Sequence, residues 1–186
     1  MKILVINGSP RREGNTRKLV QWISKALHKE QVEVSLMDLS VTRLPLFDGT
    51  DLTKESEPVQ QLKFLVEQAD GFFICTPEYH SAMSGVLKNA LDFLNRTYFE
   101  RKPVAIACAG GGGKGGINAL NNLRMVMRGL GGLVLSPQCV IDPHDFNEQE
   151  EIKEEALLRL QMVTDELVYF TRLLHQSSSE AAPAHS

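Results

Sequence analysis

The chain has 186 residues, enough for one domain with a sizeable core and few for two. Its net charge is -3 and its basic residues are scattered, so there is no electrostatic reason to expect nucleic acid or an anionic membrane as a partner. The amino terminus shows no charged leader, and no apolar run approaches the roughly 18 residues of a membrane span. We therefore expect a cytoplasmic protein with no nucleic-acid or membrane partner.

Short apolar runs alternate along the chain with longer amphipathic stretches. The first run, Ile3 to Ile6, predicts a strand, and Leu19, Ile23, Ala26 and Leu27 share one face of the helix predicted after it. Further strands are predicted near 32–37, 71–75, 104–108 and 133–135, and further helices near 58–68, 86–94, 118–127 and 148–174. Residues 1–176 are expected to form a single domain, and residues 177–186, which lack periodicity, a disordered tail.

Strands that alternate with helices predict an α/β fold, a three-layer sandwich around a doubly wound parallel sheet. The first and the third to fifth strands are apolar on both faces, as burial between two helical layers requires, whereas residues 32–36 alternate as an edge strand does. Right-handed crossovers make 2-1-3-4-5 the simplest strand order. Ligands bind at the carboxyl ends of such strands, where the loops after strands one, three and four should converge.

The loop after the first strand, NGSPRREGNT at residues 7–16, ends on two polar residues that can cap the next helix. Backbone N–H groups and the helix dipole attract an anion there, and Arg11 or Arg12 can add a charge-assisted bond. Neutral donors are supplied by Ser9, Asn15 and Thr16. The combination favours a terminal phosphate over an ordinary capped turn. The chain has no GK[ST] motif, which disfavours a nucleoside triphosphatase.

The loop after the fourth strand contains a GxGxxG pattern at Gly110, Gly112 and Gly115. It does not follow the first strand, and no ribose-binding acid lies about 20 residues further on, so we interpret the match as coincidental. Its glycines still let the backbone approach a flat ligand closely, and Lys114 can meet an anion. A flexible loop without a ligand is the alternative.

The third loop, residues 76–81, combines Pro77, which fixes the backbone direction, with Tyr79, which offers a flat face or is an ordinary loop aromatic. Glu78 and His80 suggest an acid–base pair or a metal site, but no second histidine lies at ligand spacing, so no metal is expected. The three cysteines form no CxxC pair and lie in apolar runs, so we expect buried, reduced and inert thiols: Cys75, Cys108 and Cys139.

Four short stretches carry a resemblance to a known family: GSPR at residues 8–11, GNT at 14–16, PEY at 77–79 and GVLKNALD at 85–92. Together they resemble the NADPH-dependent FMN reductase family of flavodoxin-like proteins, and residues 77–81 and 111–122 look like its bacterial FMN-dependent azoreductase branch. Two positions depart from the wider family. His80 stands where asparagine is common, and Ser84 replaces a frequent proline.

The resemblance implies a flavodoxin-like fold whose first loop holds the FMN phosphate, whose third loop runs along the isoalloxazine ring and whose glycine loop closes the far side. The implied phosphate residues are Ser9, Arg11, Asn15 and Thr16. Those along the ring are Pro77, Glu78, Tyr79, His80 and Ser81, and those of the closing loop are Gly110, Gly111, Gly112, Gly113, Lys114 and Gly115.

The resemblance also implies an NAD(P)H oxidoreductase that binds FMN tightly and noncovalently. NADPH, or NADH, is expected to deliver hydride to flavin N5 and to leave before an azo dye, a quinone or a flavin takes its place, which predicts ping-pong kinetics without a catalytic side chain. Family members form dimers or tetramers, so we expect a homodimer or homotetramer. The apolar helices at 87–94 and 120–127 are the candidate interface, unless they are buried within one subunit.

Two other functions remain open at this point. A flavodoxin-type electron carrier would use FMN without a nicotinamide, although its strongly acidic docking face does not match a net charge of -3. A non-catalytic FMN-binding protein would keep the fold alone. The preference for NADPH or NADH is also open, and the candidates for contact with a 2′-phosphate are Arg11, Arg12, Lys114 and Arg124.

Overall fold

A computed structural model describes residues 1–110 and 115–180, with side chains through residue 176. The strands are β1 (Lys2–Asn7), β2 (Glu33–Asp38), β3 (Gly71–Tyr79), β4 (Ala82–Met83), β5 (Pro103–Ala109) and β6 (Leu133–Ile141). The helices are α1 (Asn15–Lys29), α2 (Asp51–Lys54), α3 (Glu57–Gln68), α4 (Gly85–Asp92), α5 (Ile117–Gly129) and α6 (Glu154–Glu180), with 3-10 turns at Arg96–Tyr98 and Pro143–Asp145.

Five of the strands form a parallel sheet in the order β2-β1-β3-β5-β6. The short β4 pairs antiparallel with the end of β3 and does not interrupt this order. The doubly wound α/β sheet of flavodoxin-like order 2-1-3-4-5 that the sequence predicts is therefore confirmed. The neighbours β1 and β3 form its switch point, where ligands bind in such sheets.

The side chains of β1 alternate between two hydrophobic cores. Ile3 and Val5 pack with residues of α1 and α6, whereas Leu4 and Ile6 pack with residues of α3, α4 and α5. All four are at most 1% exposed, as expected for a strand covered on both faces. On α1, the predicted apolar face is confirmed because its four residues are buried: Leu19, Ile23, Ala26 and Leu27. The sheet is thus the middle of three layers.

The strand β6 differs from its prediction in length and in exposure. It runs to Ile141, whereas the sequence pattern ended at residue 135, before Ser136 and Pro137. Its pairing with β5 shifts in register between Val104 and Ile106, and proline is tolerated at such an irregularity of an edge strand. Leu133 is 46% exposed, so the prediction that this strand is covered on both faces is wrong. The strand lies at the edge of the sheet, where no further strand of the described residues covers it.

The last helix is displaced along the chain relative to its prediction. It begins at Glu154 instead of residue 148 and continues to Glu180, so its backbone includes residues 177–180 of the predicted tail. Residues 181–186 of that tail lie outside the described residues. Among the described helices, none combines the length and the apolar composition needed to cross a bilayer.

The three cysteines are buried and form no disulfide, which confirms the prediction of free, buried thiols. Burial raises the pKa of Cys108 to about 12 and that of Cys139 to about 11, and it raises the pKa of Cys75 well above its ordinary value. Only the thiolate is a strong nucleophile, so these thiols are held in their unreactive form.

Candidate functional site

A pocket of about 260 Å³ lies where the first loop meets the ends of β3 and β5. Of the predicted site residues, those that line it are Ser9, Arg11, Asn15, Thr16, Pro77, Glu78, Tyr79 and Gly110. His80, Ser81 and Gly115 do not line the pocket, and Gly111, Gly112, Gly113 and Lys114 lie outside the described residues. The sequence interpretation missed Gly14, Ala109 and Pro143, which also line it. The first loop and the ends of β3 and β5 therefore meet at this pocket, as the sequence predicts for the parts of the three loops that the structure describes.

The predicted third loop is a β-hairpin, so the expectation of a loop from residue 76 is wrong. Glu78 pairs with Met83 and Tyr79 with Ala82, which leaves His80 and Ser81 as a two-residue turn. Their φ angles are 50° and 62°, the positive pair that a type I′ turn requires. Asparagine adopts this conformation more readily than most residues, which accounts physically for asparagine at position 80 in the wider family.

Arg11 connects the first loop with the hairpin. Its guanidinium carbon lies 5.9 Å from the centroid of the Tyr79 ring, within the range of a cation–π contact. The residue is exposed, and no carboxylate in the described part of the chain forms an ion pair with it. Its charge is therefore available to an anion in the pocket.

Gly8 brings β1 and β3 close together at the base of the pocket. Its N–H donates to the carbonyl oxygen of Cys75 at 2.8 Å, and a Cβ added at Gly8 would lie 2.6 Å from the same oxygen. Any side chain would therefore push the two strands apart.

Ser84 fixes the segment that leads from the hairpin into α4. Its Oγ donates to the carbonyl oxygen of Gly8 and accepts from the N–H of Leu87 at 3.1 Å, while its own N–H donates to Thr76 Oγ1 at 3.1 Å. A proline at position 84 has no N–H for the bond to Thr76, so hydrogen bonds replace ring rigidity here. The site interpretation missed this residue, although a serine directly before a helical run is a typical N-cap.

Glu78 is directed toward α5. One of its carboxylate oxygens accepts from the N–H groups of Gly116 at 2.8 Å and of Ala119 at 3.0 Å. This carboxylate caps α5 and interacts favourably with the positive end of the helix dipole. Because this carboxylate oxygen is engaged by α5, only the remaining atoms of Glu78 are available for its predicted place along a flavin ring.

The N-terminus of α1 has no such cap. Its N-cap residue is Gly14, with φ 147°, and no side chain forms a cap hydrogen bond there. The first N–H groups of a helix need acceptors from outside the helix, and an anion supplies them while meeting the positive end of the dipole. At this edge of the sheet, α4 and α5 receive acceptors from Ser84 and Glu78, whereas no described side chain supplies a cap bond at α1.

A polar network supports the first loop from below. Asn7 is fully buried, accepts from the N–H of Ser9 at 3.2 Å and donates to Asp38 at 2.8 Å. Arg17 donates to the other carboxylate oxygen of Asp38 at 3.0 Å. The sequence interpretation missed Asn7 and Asp38, although each is the polar last residue of its strand.

Gly110 lines the pocket, and Asp142 lies directly against it. The N–H of Gly110 donates to the carbonyl oxygen of Ile141 at 2.9 Å, and a Cβ at position 110 would collide with Oδ1 of Asp142. That oxygen is buried and has no hydrogen-bond partner within the described residues. The pocket lining therefore combines the cation and the polar side chains of the first loop with Gly110, which has no side chain, and this lining fits FMN. Residues 1–110 and 115–176 contain no group of three metal-ligating side chains.

Comparison with known proteins gives consistent relatives. The model of the NADPH-dependent FMN reductase family matches residues 1–147. The chain is 43% identical to an NADPH azoreductase of Bacillus sp. (strain OY1-2), over 90% of each chain. It is 32% identical to an FMN-dependent NADPH-azoreductase of Staphylococcus aureus, over 91% of this chain and 95% of the relative.

Among solved structures, FerB, a flavoenzyme NAD(P)H:(acceptor) oxidoreductase from Paracoccus denitrificans, superposes with a TM-score of 0.77. The match covers 92% of this chain and 97% of that one, at 22% identity, and it shows a shared fold. The family match over most of the chain, together with the two relatives, confirms the predicted resemblance. The chain belongs to the NADPH-dependent FMN reductase family.

Proposed function

We propose that this protein is an FMN-dependent NAD(P)H oxidoreductase of the azoreductase type, which reduces azo compounds, quinones or flavins. The observation that carries the proposal is the uncapped N-terminus of α1 beside Arg11, in the pocket at the switch point of the sheet. The names of the two relatives, NADPH azoreductase and FMN-dependent NADPH-azoreductase, support the same activity.

The phosphate of FMN would lie at the first loop. Arg11 would contribute charge, and neutral contacts would come from the side chains of Ser9, Asn15 and Thr16. Ser9 is held for this role because its N–H donates to buried Asn7 and its Oγ accepts from the N–H of Arg11 at 3.2 Å. The first loop is thus positioned before a ligand arrives, which reduces the entropy lost on binding.

The flavin ring would lie between the end of β3 and Gly110. Pro77 is buried and Tyr79 half-buried, so this wall is largely apolar, while Gly110 lets the backbone approach a flat group from the other side. Bound FMN would supply the hydride-transfer chemistry between the nicotinamide and the acceptor. The chain binds and orients the reactants, and Glu78, the carboxylate of the pocket, is already engaged with α5.

We also propose that the protein forms a homodimer or homotetramer. Most of the apolar side chains predicted for the interface are buried in the subunit's own core, which favours the intramolecular alternative for them: Leu87, Ala90, Leu91, Leu94, Leu120, Leu123 and Met127. On α5, Ile117 and Met125 remain exposed, at 46% and 70%. These two residues therefore replace the predicted stripes as the apolar contribution of α5 to a contact between subunits.

The absorption spectrum of the purified protein tests the function. We expect a flavin spectrum that NADPH bleaches under anaerobic conditions, and parallel double-reciprocal lines when NADPH and an azo dye are varied. Intersecting lines would mean that both substrates bind together. A bound flavin that neither NADPH nor NADH reduces would indicate an electron carrier, and a colourless protein without affinity for FMN a non-catalytic role.

A further inference from the structure

A second, larger groove of about 900 Å³ adjoins the proposed FMN pocket. It shares Gly14 and Asn15 with that pocket and follows α1 as far as Gln21. At 1.5 Å per residue, the stretch from Asn15 to Gln21 is about 9 Å long. The two cavities form one continuous surface, so a long ligand at the flavin can extend into the groove.

Three cations line the groove, but two of them are already paired. Arg17 donates to Asp38 at 3.0 Å, and Lys18 contacts Glu150 at 2.6 Å and lies 5.3 Å from the Phe146 ring centroid. The contact with Lys18 lowers the pKa of Glu150, and this carboxylate offsets the charge of Lys18. Arg12 is exposed and forms no hydrogen bond or ion pair with any described residue.

The other described candidates for a 2′-phosphate contact are engaged elsewhere. Arg124 donates to the carbonyl oxygen of Leu135 at 2.9 Å and to Gln138 Oε1 at 2.8 Å, which ties its guanidinium to β6. Arg11 lines the proposed FMN pocket itself. Lys114 lies outside the described residues. Arg12 is thus the described candidate that is both unpaired and next to the flavin site.

We infer that the groove receives the adenosine end of NADPH and that Arg12 is the specificity-determining residue that contacts its 2′-phosphate. The inference rests on the proposed function and specifies its electron donor. A guanidinium forms charge-assisted, bidentate bonds with a phosphate, whereas NADH offers only a hydroxyl at this position. Val41 is 57% exposed in the groove and supplies apolar contact for the nucleoside.

The charges of the groove make the positive charge of Arg12 necessary for binding an anion there. Glu13 also lines the groove, next to Arg12 in the chain. With Lys18 and Glu150 paired, and Arg17 paired with Asp38, Arg12 is the cation that offsets Glu13. Removal of Arg12 leaves a carboxylate without compensation, which repels a phosphate. Selectivity for the phosphorylated nucleotide should therefore be lost when this one side chain is removed.

Fragment binding to the FMN-loaded protein tests the inference without turnover. Calorimetric titrations compare 2′,5′-ADP with 5′-AMP for wild type, Arg12→Ala, Arg12→Lys and a control, Arg128→Ala, which removes an exposed arginine in the last turn of α5. We expect wild type and Arg128→Ala to prefer 2′,5′-ADP. The preference should fall by about ten-fold or more in Arg12→Ala, the scale of a lost bond to a charged group, and less in Arg12→Lys.

The kinetic counterpart is the ratio of kcat/KM for NADPH to that for NADH, which should fall in parallel in Arg12→Ala. An unchanged preference for 2′,5′-ADP in Arg12→Ala, an equal loss in Arg128→Ala, or no preference in wild type would overturn the inference. The proposed function is judged separately, by whether either nicotinamide bleaches the flavin of the wild-type protein. A protein that NADH reduces but that ignores the 2′-phosphate would keep the function and refute the role of Arg12.

Discussion

The helices α4 and α1 begin at the same edge of the sheet, but they differ in how their N-termini are capped. At α4, buried Ser84 caps the helix and also bonds the carbonyl oxygen of Gly8, so donors and acceptors there are satisfied by the chain itself. At α1, the N-cap is Gly14, no side chain caps the helix, and exposed arginines lie beside it. The difference separates a helix end that the chain caps itself from one that we propose receives the FMN phosphate.

The helix α5 is informative because it combines features of both. Its N-terminus meets an anion, as that of α1 is proposed to do, but the anion is the carboxylate of Glu78, 38 residues away in the chain. The same electrostatic attraction is thus satisfied internally at α5 and, in our proposal, by the cofactor phosphate at α1. Four substitutions test this comparison.

The largest effect is expected for Ser84→Ala. The substitution removes the cap of Leu87 and leaves the carbonyl oxygen of Gly8 without its donor, both at a buried position. We expect the free energy of unfolding of the apoprotein, from urea denaturation, to fall by about 2–4 kcal/mol. Ser56→Ala is the matched control, since Ser56 is the N-cap residue of α3 but forms no cap bond. Equal losses of stability in the two variants would show that the hydrogen bonds of Ser84 Oγ do not stabilise the fold.

Arg11→Ala should have the next largest effect, on FMN affinity instead of folding. The lost charge-assisted bond should weaken binding by about 1.5–3 kcal/mol, measured by fluorescence titration of the apoprotein with FMN. Arg12→Ala is the control and should bind FMN normally, because Arg12 lines the neighbouring groove. If both Arg11→Ala and Asn15→Ala bound FMN as tightly as wild type, the phosphate would have to lie elsewhere.

Glu78→Ala should leave the N-terminus of α5 without a side-chain cap, as the N-terminus of α1 is. The N–H groups of Gly116 and Ala119 lose their acceptor, and we expect about 1–2 kcal/mol less stability toward urea. Sulfate should restore part of the loss and should stabilise the variant more than wild type at equal ionic strength. Glu78→Gln keeps an acceptor oxygen and should lose less. Identical responses of variant and wild type to sulfate would argue against the comparison of α5 with α1.

The smallest effect is expected for His80→Asn. Asparagine suits the positive φ of this exposed turn, so stability should change by no more than about 0.5 kcal/mol and should increase if it changes at all. Turnover should be largely retained, because His80 lies outside the pocket lining. A loss greater than about 100-fold with FMN still bound would have the size of a lost general acid or base and would give His80 a catalytic role.

The sequence predicts the parts of this fold that depend on local patterns. Residues 3–6 of β1 and all residues of β5 are apolar and buried, and the face of α1 repeats at helical spacing, so strand order and layers could be derived. The hairpin was missed because Thr76-Pro77-Glu78 has no apolar alternation, and most of β6 was missed because Pro137 normally ends a strand.

The candidate site was predicted through its loops but not through the bonds that hold them. Arg11 and Tyr79 lie together as the convergence of loops requires. The partners of Ser84 and Glu78 could not be predicted, because Gly8 lies 76 residues from Ser84 and Gly116 lies 38 from Glu78. These groups come together only in the folded chain. The sequence alone does not distinguish a carboxylate that contacts a ligand from one that caps a helix.

The three buried cysteines have a practical consequence. Each thiol is shielded and protonated at neutral pH, because burial raises the pKa of Cys75, Cys108 and Cys139. The native thiols should therefore react only slowly with maleimides or spin labels. A single cysteine placed at exposed Val41 would be the one fast-reacting thiol, and a fluorophore there would report, in real time, the arrival of a nucleotide in the groove.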